Sequence, residues 1–283
     1  MSAPLVWRIR GRELTIPRPL VMGIVNVTPD SFSDGGRYFD PKAAVEHSLR
    51  LIDEGADLLD IGGESTRPGS QPVPLEDELR RVVPAIQALA RRTDVPISVD
   101  TSKAEVARQA LAAGATIVND VTAMTGDSSM PAVVRDAGAG VILMHMRGTP
   151  ATMQKAPEYP EGVLPALDAF FQSRLQELPR LGMQPESAVL DPGIGFGKTG
   201  AHNWEILARL GELGRFGRPV CLGVSRKGLF GKLLDRPVDQ RLAASLAVAC
   251  AEMAQGAAQI LRVHDVAATR DAVRVFEKLK QIV

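Results

Sequence analysis

The residues best able to do chemistry stand at the ends of short apolar runs: Asn26, Asp60, Glu64, Asp100, Asn119, His145, Asp191, Lys227, Arg262 and His264. Asp100, Asn119 and Asp191 together offer carboxylate acceptors and an amide, a set suited to a flat heterocycle with several N–H donors and ring acceptors. Lys227 can stack over such a ring or bond to it. Asn26, Arg262 and His264 add an amide, a guanidinium and an imidazole, which suit a di-anion or a pyrophosphate. Asn26 has a second reading, as a ligand of Mg2+ whose other ligands are phosphate oxygens and water. Each signal also has a plainer reading. Asp60 and Glu64 read equally as helix caps or a surface pair, and Asp100-Thr101-Ser102 as the cap of a helix starting at Lys103. His145, between Met144 and Met146, reads as a satisfied histidine at a strand end. The 4 histidines show no H-x-x-x-H pattern and the 2 cysteines no C-x-x-C, which argues against a protein-caged zinc.

The elements that must gather these residues follow from the apolar runs. They cover 20–27, 58–66, 97–101, 116–121, 141–147, 189–193, 220–227 and 260–264. Each reads as a buried parallel strand with helices over both faces, and all but the first follow a helix-like segment. Eight such strand–helix units predict a single (β/α)8 (TIM) barrel, whose active site gathers at the C-terminal ends of the strands. The first and last strands are neighbours in a closed barrel, which groups Asn26 with Arg262 and His264. Helical spacing predicts helices over 41–53, 75–92, 103–113, 130–137, 163–181, 203–213, 239–255 and 265–279. Pro84 predicts a kink or a restart in the second of these. The stretches 6–9 and 13–16 around Arg10-Gly11-Arg12 read as a short β-hairpin that caps the bottom of the barrel. No linker or low-complexity tract interrupts the chain, so the expected organisation is a hairpin over 1–18 on one barrel domain over 19–283. The loops 29–40, 65–74 and 148–162 are long for this architecture and read as lids or binding loops.

The bulk numbers exclude some functions. The 283 residues carry 33 Lys plus Arg and 33 Asp plus Glu, so bulk charge does not hold nucleic acid or an anionic membrane. Cys221 and Cys250 read as reduced, small buried residues. The N-terminal stretch lacks the apolar core of a signal peptide, and no run approaches the ~18 residues of a membrane span. A reducing cytoplasm is the expected compartment. The segment GIGFGKT (193–199) is neither a Walker A loop, since Pro192 stands where a Gly is needed, nor a G-x-G-x-x-G fingerprint, since Lys198 does. Its glycines suit a sharp backbone turn beside a flat ligand.

At this point the motifs resemble a known family. GIVNVTPDSFSDGG (23–36), DIGGESTRPG (60–69), SVDTSK (98–103), NDVTA (119–123), LMHMRGTPATMQ (143–154), LDPGIGFGKT (190–199), GVSRK (223–227) and RVHDV (262–266) look like those of the dihydropteroate synthases, in family order from the first barrel strand to the last. The resemblance implies a transferase of folate biosynthesis. It implies that 6-hydroxymethyl-7,8-dihydropterin pyrophosphate loses pyrophosphate and that p-aminobenzoate captures the pterin methylene, giving 7,8-dihydropteroate. It further implies a pterin pocket of Asp100, Asn119, Asp191 and Lys227, lined by Met144 and Phe196. A pyrophosphate site with Mg2+ is implied at Asn26, Arg262 and His264, with Thr66 and Arg67 beside it. The same resemblance places p-aminobenzoate, or a sulfonamide inhibitor, among Ser225, Arg226, Lys227 and two mobile loops that carry Phe32, Ser33 and Asp34, and Thr66, Arg67 and Pro68. A homodimer through the late helices is expected. The nearest rival, a pterin-binding methyltransferase, lacks the combined STRPG, SRK and RVH elements present here.

Overall fold

An antiparallel hairpin of β1 (Leu5–Ile9) and β2 (Arg12–Ile16) opens the computed structural model, which describes residues 5–28, 41–67, 69–155 and 157–282. There follow β3 (Leu20–Asn26), α1 (Pro41–Asp53), β4 (Leu58–Gly62), α2 (Leu75–Ala90), β5 (Ile97–Asp100), α3 (Ala104–Ala113), β6 (Ile117–Asp120), α4 (Met130–Asp136), β7 (Gly140–Met144) and α5 (Val163–Arg180). The chain ends with β8 (Ala188–Asp191), α6 (Gly200–Ala208), β9 (Cys221–Leu222), α7 (Gly228–Leu234), α8 (Leu242–Ala254), β10 (Ile260–Val263) and α9 (Val266–Lys280). The barrel strands pair in parallel in the order β8-β7-β6-β5-β4-β3-β10-β9, and a parallel bridge between Leu190 and Val220 closes the ring. This is the expected (β/α)8 barrel.

The reason the strands are apolar throughout differs from the expectation. Helices cover only the outer face, where Val21, Leu59, Val99, Val118, Val141, Leu190 and Leu261 meet helix residues such as Val82, Val106 and Phe171. The inner face is filled by the strands' own side chains, among them Met22, Leu58, Ile117, Ile142, Val189, Cys221 and Ile260. The hairpin residues Trp7, Ile9 and Ile16 join that inner cluster from below. The Trp7 indole N–H donates to Ser187 O at 2.8 Å, and Arg218 Nη2 donates to Val6 O at 2.5 Å. Gly140 leaves room for this seat, because a Cβ there would lie 2.5 Å from Ile9 Cγ2.

Three helix expectations are corrected. α2 runs through Pro84 without a restart. Pro84 is exposed, so the carbonyl that loses its N–H partner lies on the solvent side. The stretch 203–213 divides into α6 and a 3-10 segment over Leu210–Phe216, where Gly211 and Gly214 interrupt the α-helix. α7 is absent from the sequence expectation, since its GLFGKLL sequence has two glycines and only Leu229 and Phe230 buried. Cys250 is also corrected. It is exposed, because α8 turns Ser245, Ala249, Glu252 and Met253 inward instead. No helix among the described residues is long and apolar enough to cross a membrane.

Candidate active site

The polar residues begin one layer above the inner apolar core. On β4, Asp60 lies level with Ile24 of β3 and Ser98 of β5. Asp60 is fully buried, and its Oδ2 accepts from Arg262 Nε at 2.6 Å and from Asn119 Nδ2 at 2.9 Å. Arg262 Nη2 donates to Asp100 Oδ2 at 2.7 Å, so one guanidinium spans carboxylates from two strands. Burial works against that guanidinium, but Asp60 and Asp100 more than offset it and hold it charged. Burial pushes the Asp100 carboxyl up to about 7, with Arg262 pulling it down and Asp60 pushing it further up. Asp100 is not a helix cap. The Ala104 N–H at the start of α3 donates to Asp127 Oδ2 at 2.9 Å, which leaves Asp100 facing the barrel axis beside Asn119.

Asp191 ends β8, level with buried Met144 on β7. Its Oδ1 accepts the Gly193 N–H at 2.7 Å. Burial raises this carboxyl, while the Gly193 N–H, Lys227, Arg262 and Lys198 oppose the rise. The loop that follows is pressed onto the end of β7. Gly193 has φ +64° and Gly197 φ +61°, and Cβ atoms there would lie 2.0 Å from His145 O and 2.2 Å from Arg147 O. Only glycine permits both the conformation and the approach. Lys198, 2% exposed, plugs the joint: its Nζ reaches His145 Nδ1 at 2.9 Å, His145 O and Gly193 O at 3.1 Å, and Phe196 O at 3.0 Å. Burial lowers Lys198 to about 7, and burial together with Lys198 lowers His145 to about 3. His145 is therefore the satisfied strand-end histidine of the plainer reading. Lys227 donates from Nζ to Ile194 O at 2.8 Å and lies 4.4 Å from the centre of the Phe196 ring. Burial lowers it to about 8 despite Asp191.

The upper rim is cationic. His264 sits above Arg262 on the same side of β10, and its Nδ1 and backbone N–H meet Ser225 Oγ at 3.0 and 3.1 Å. Burial, with Arg262, Arg226 and Arg67 adding to it, lowers His264 to about 4. Arg226 has φ +57° and is turned aside, with its Nε donating to Asp265 Oδ2 at 2.9 Å and its backbone N–H to Ser245 Oγ at 3.0 Å. Glu64 is neither cap nor surface pair. It joins Lys103, which also bonds buried Glu78 at 2.5 Å, and so ties down the base of the loop bearing half-buried Thr66 and exposed Arg67. Further along that loop, the Gly69 N–H donates to Pro150 O at 3.1 Å. Asn26 is half-buried at the tip of β3, level with Gly62. Phe32, Ser33, Asp34 and Pro68 lie outside the described residues.

The result is a two-tier site, with carboxylates and an amide on the floor and Arg67, Lys227, Arg262 and His264 above and around them. Residues 22–264 match the family model for pterin binding enzymes. The chain is 46% identical over 268 residues to the dihydropteroate synthase of Escherichia coli strain K12, covering 95% of this chain and 94% of that protein. The chain belongs to the dihydropteroate synthase family. Solved dihydropteroate synthases share its shape. That of Yersinia pestis, in complex with a sulfonamide drug, superposes with a TM-score of 0.91 at 44% identity, covering 99% of this chain and 100% of that one. That of Xanthomonas albilineans with 4-aminobenzoic acid gives 0.89 at 46% identity, covering 99% of each chain. The same enzyme with 7,8-dihydropteroate gives 0.85 at 45% identity, covering 96% of this chain and 98% of that one.

Two residues of the dihydropteroate synthase site escape a reading of roles from sequence. Asp60 reads there only as a cap or surface pair, although a carboxylate inside the run Leu-Leu-Asp-Ile-Gly is a signal, since a buried charge needs a partner. Lys198 has no such signal, because nothing in a Gly-Lys-Thr turn says that the lysine points inward.

Proposed function

We infer that this chain is a transferase that condenses 6-hydroxymethyl-7,8-dihydropterin pyrophosphate with p-aminobenzoate, giving 7,8-dihydropteroate and pyrophosphate. The observation that carries this reading is the two-tier charge arrangement. A dihydropterin diphosphate has N–H donors at one end and a polyanion at the other, and only one orientation matches both ends. Asp100, Asn119 and Asp191 accept the ring N–H groups, Met144 and Phe196 line the ring's faces, and Lys227 lies against it. Asp60 holds Asn119 and Arg262 in place for this task. His264, Arg262, Arg67 and Thr66 receive the diphosphate at the rim.

The C–O bond to the diphosphate breaks with its electron pair leaving on oxygen, and the carboxylate floor stabilises the positive charge that develops on the pterin. The aryl amine then forms the C–N bond and loses a proton. Ser225, Lys227 and Arg67, with Phe32 and Pro68 of the two loops, form the amine pocket; Arg226 supports it through Asp265. Closed loops exclude water, which would otherwise capture the cation. Inhibition by sulfonamides follows from their likeness to the amine.

The donor set bears on the expected metal. Among the described residues no group of three or more His, Cys, Asp or Glu could cage an ion. A single neutral amide, Asn26, fits a hard cation held chiefly by the diphosphate's own oxygens. When bound there, Mg2+ neutralises charge on the departing pyrophosphate. The same reading includes a homodimer in which α7 and α8 present Leu233, Leu234 and Cys250 to a second copy. It also includes one barrel domain with its hairpin, working in the cytoplasm.

The test is pyrophosphate release from the pterin substrate. Release should need Mg2+, should cease after exhaustive EDTA treatment, and should yield dihydropteroate when p-aminobenzoate is added. Release without pterin–amine coupling would remove the transferase reading, and full activity in EDTA would remove the metal.

A further inference from the structure

We propose that Lys198 is a positioning residue for the pterin pocket: its ammonium pins the loop that follows β8 to the end of β7 and so holds the Gly193 N–H on Asp191. The proposal rests on the pterin-binding reading above. Three carbonyl oxygens accept from Nζ, namely His145 O, Gly193 O and Phe196 O, and His145 Nδ1 lies 2.9 Å from it. An ammonium has three donors and no lone pair, which matches the three carbonyl oxygens in number. Every one of these partners is neutral, so the cost of burying the charge is not returned by an ion pair at contact.

What the cation holds is the pterin floor. The Gly193 that gives its carbonyl to Lys198 gives its N–H to Asp191. The Phe196 that gives its carbonyl carries the ring beneath Lys227, and Ile194 between them accepts from Lys227. Three pocket residues therefore depend on one buried side chain that does not itself face the ligand. The charges around it are few. Asp191 is faced by Lys227, Arg262 and Lys198. Lys198 is faced by Asp191 and Lys227, and His145 by Lys198 and Arg147. Lys198 is ammonium below about 7, so its charge is in place over the acid range in which a carboxylate titrates. Its removal raises the Asp191 carboxyl, and the protonated form is a poorer acceptor for ring N–H groups.

The experiment uses the full-length chain with Lys198→Met, which keeps the length of the side chain and removes its charge and bonds, and Lys198→Gln, which keeps a donor without the charge. 6-Hydroxymethylpterin, which lacks the diphosphate, is titrated by calorimetry at several pH values, and the Asp191 carboxyl is followed by carbon NMR in the unliganded protein. In Lys198→Met, pterin affinity near neutral pH should fall about tenfold, the worth of one charge-assisted hydrogen bond. The acid limb of binding and the Asp191 midpoint should both move to higher pH. In Lys198→Gln the midpoint should move similarly while affinity falls less. A folded Met variant with wild-type affinity would overturn the proposal. So would weakened binding with the Asp191 midpoint unmoved, which is what a pin that leaves the Gly193 N–H undisturbed would give. If the Met variant fails to fold, the Gln variant decides by the same midpoint. Failure of the wild type to bind the pterin would instead remove the pterin reading, and the Asp191 midpoint would still judge Lys198.

Discussion

A histidine surrounded by arginines changes its charge when an anion arrives. His264 is held neutral by burial and by Arg262, Arg226 and Arg67, with its pKa pushed down to about 4. Pyrophosphate at the rim reverses the sign of those surroundings and raises the imidazole. Wherever pH lies between the free and bound values, binding must take up a proton, and affinity must rise as pH falls through that window. Calorimetry of inorganic pyrophosphate with Mg2+, in two buffers of different ionisation heat, reads the uptake near pH 6. His264→Gln should lose up to one proton of uptake relative to wild type; protonation of the ligand itself is common to both proteins and cancels. Equal uptake would place His264 away from the anion. At this scale the sequence speaks clearly where a residue's proposed partner is the ligand, as for Asp100, Asn119 and Asp191. It speaks poorly where the partner is distant in the chain. Asp60 is explained by Arg262, 202 residues away, and Asn119, 59 residues away, and Lys198 is turned inward in part by His145, 53 residues away.

Among the elements, the loop from Asp191 to Thr199 and the helix it leads into contrast two kinds of glycine. At Gly193 a side chain would meet a carbonyl oxygen at 2.0 Å with φ at +64°, and neither can give way cheaply. Gly193→Ala should lower the free energy of unfolding by about 2–4 kcal/mol, from left-handed strain plus overpacking. Gly200 opens α6 with nothing within 4 Å of the place a methyl would take, so Gly200→Ala should be neutral or slightly stabilising. Urea denaturation of the two variants checks the pair, and a destabilised Gly200→Ala beside a tolerated Gly193→Ala would contradict the packing account. Periodicity locates the long helices because one face of each is buried on the barrel, as α1 and α3 are. It does not find α7, whose two buried residues make no stripe, and it cannot foresee that Pro84 falls on the solvent side of α2.

For the whole molecule, zero net charge conceals a local gathering of charge at the C-terminal ends of the strands, where Asp60, Asp100 and Asp191 meet Arg262 and Lys227. The eight strand ends are enough to predict the closed barrel. What they do not convey is which face the helices cover, since inner and outer positions are equally apolar. The outer surface of the late helices carries a prediction of its own. Leu233 is 61% exposed and Leu234 47% exposed, on the short helix that starts directly after Lys227. Light scattering should find a dimer, and Leu233→Glu with Leu234→Glu should shift it toward monomer while leaving the fold intact. An unchanged mass would assign the dimer to another face, and a monomeric wild type would dismiss it.

The hairpin seated beneath the strands has a consequence for traffic. With Trp7 lodged under the inner core and Arg218 tying Val6 to the strand β8 side, the barrel has a stopper at one end and a doorway at the other. Everything that enters must leave by the doorway it came through. On the proposed binding, the pterin ring belongs at the bottom of that queue, and p-aminobenzoate stands nearer the door. An amine that arrived first would block the corridor, so the geometry imposes a boarding order without any messenger between the two seats.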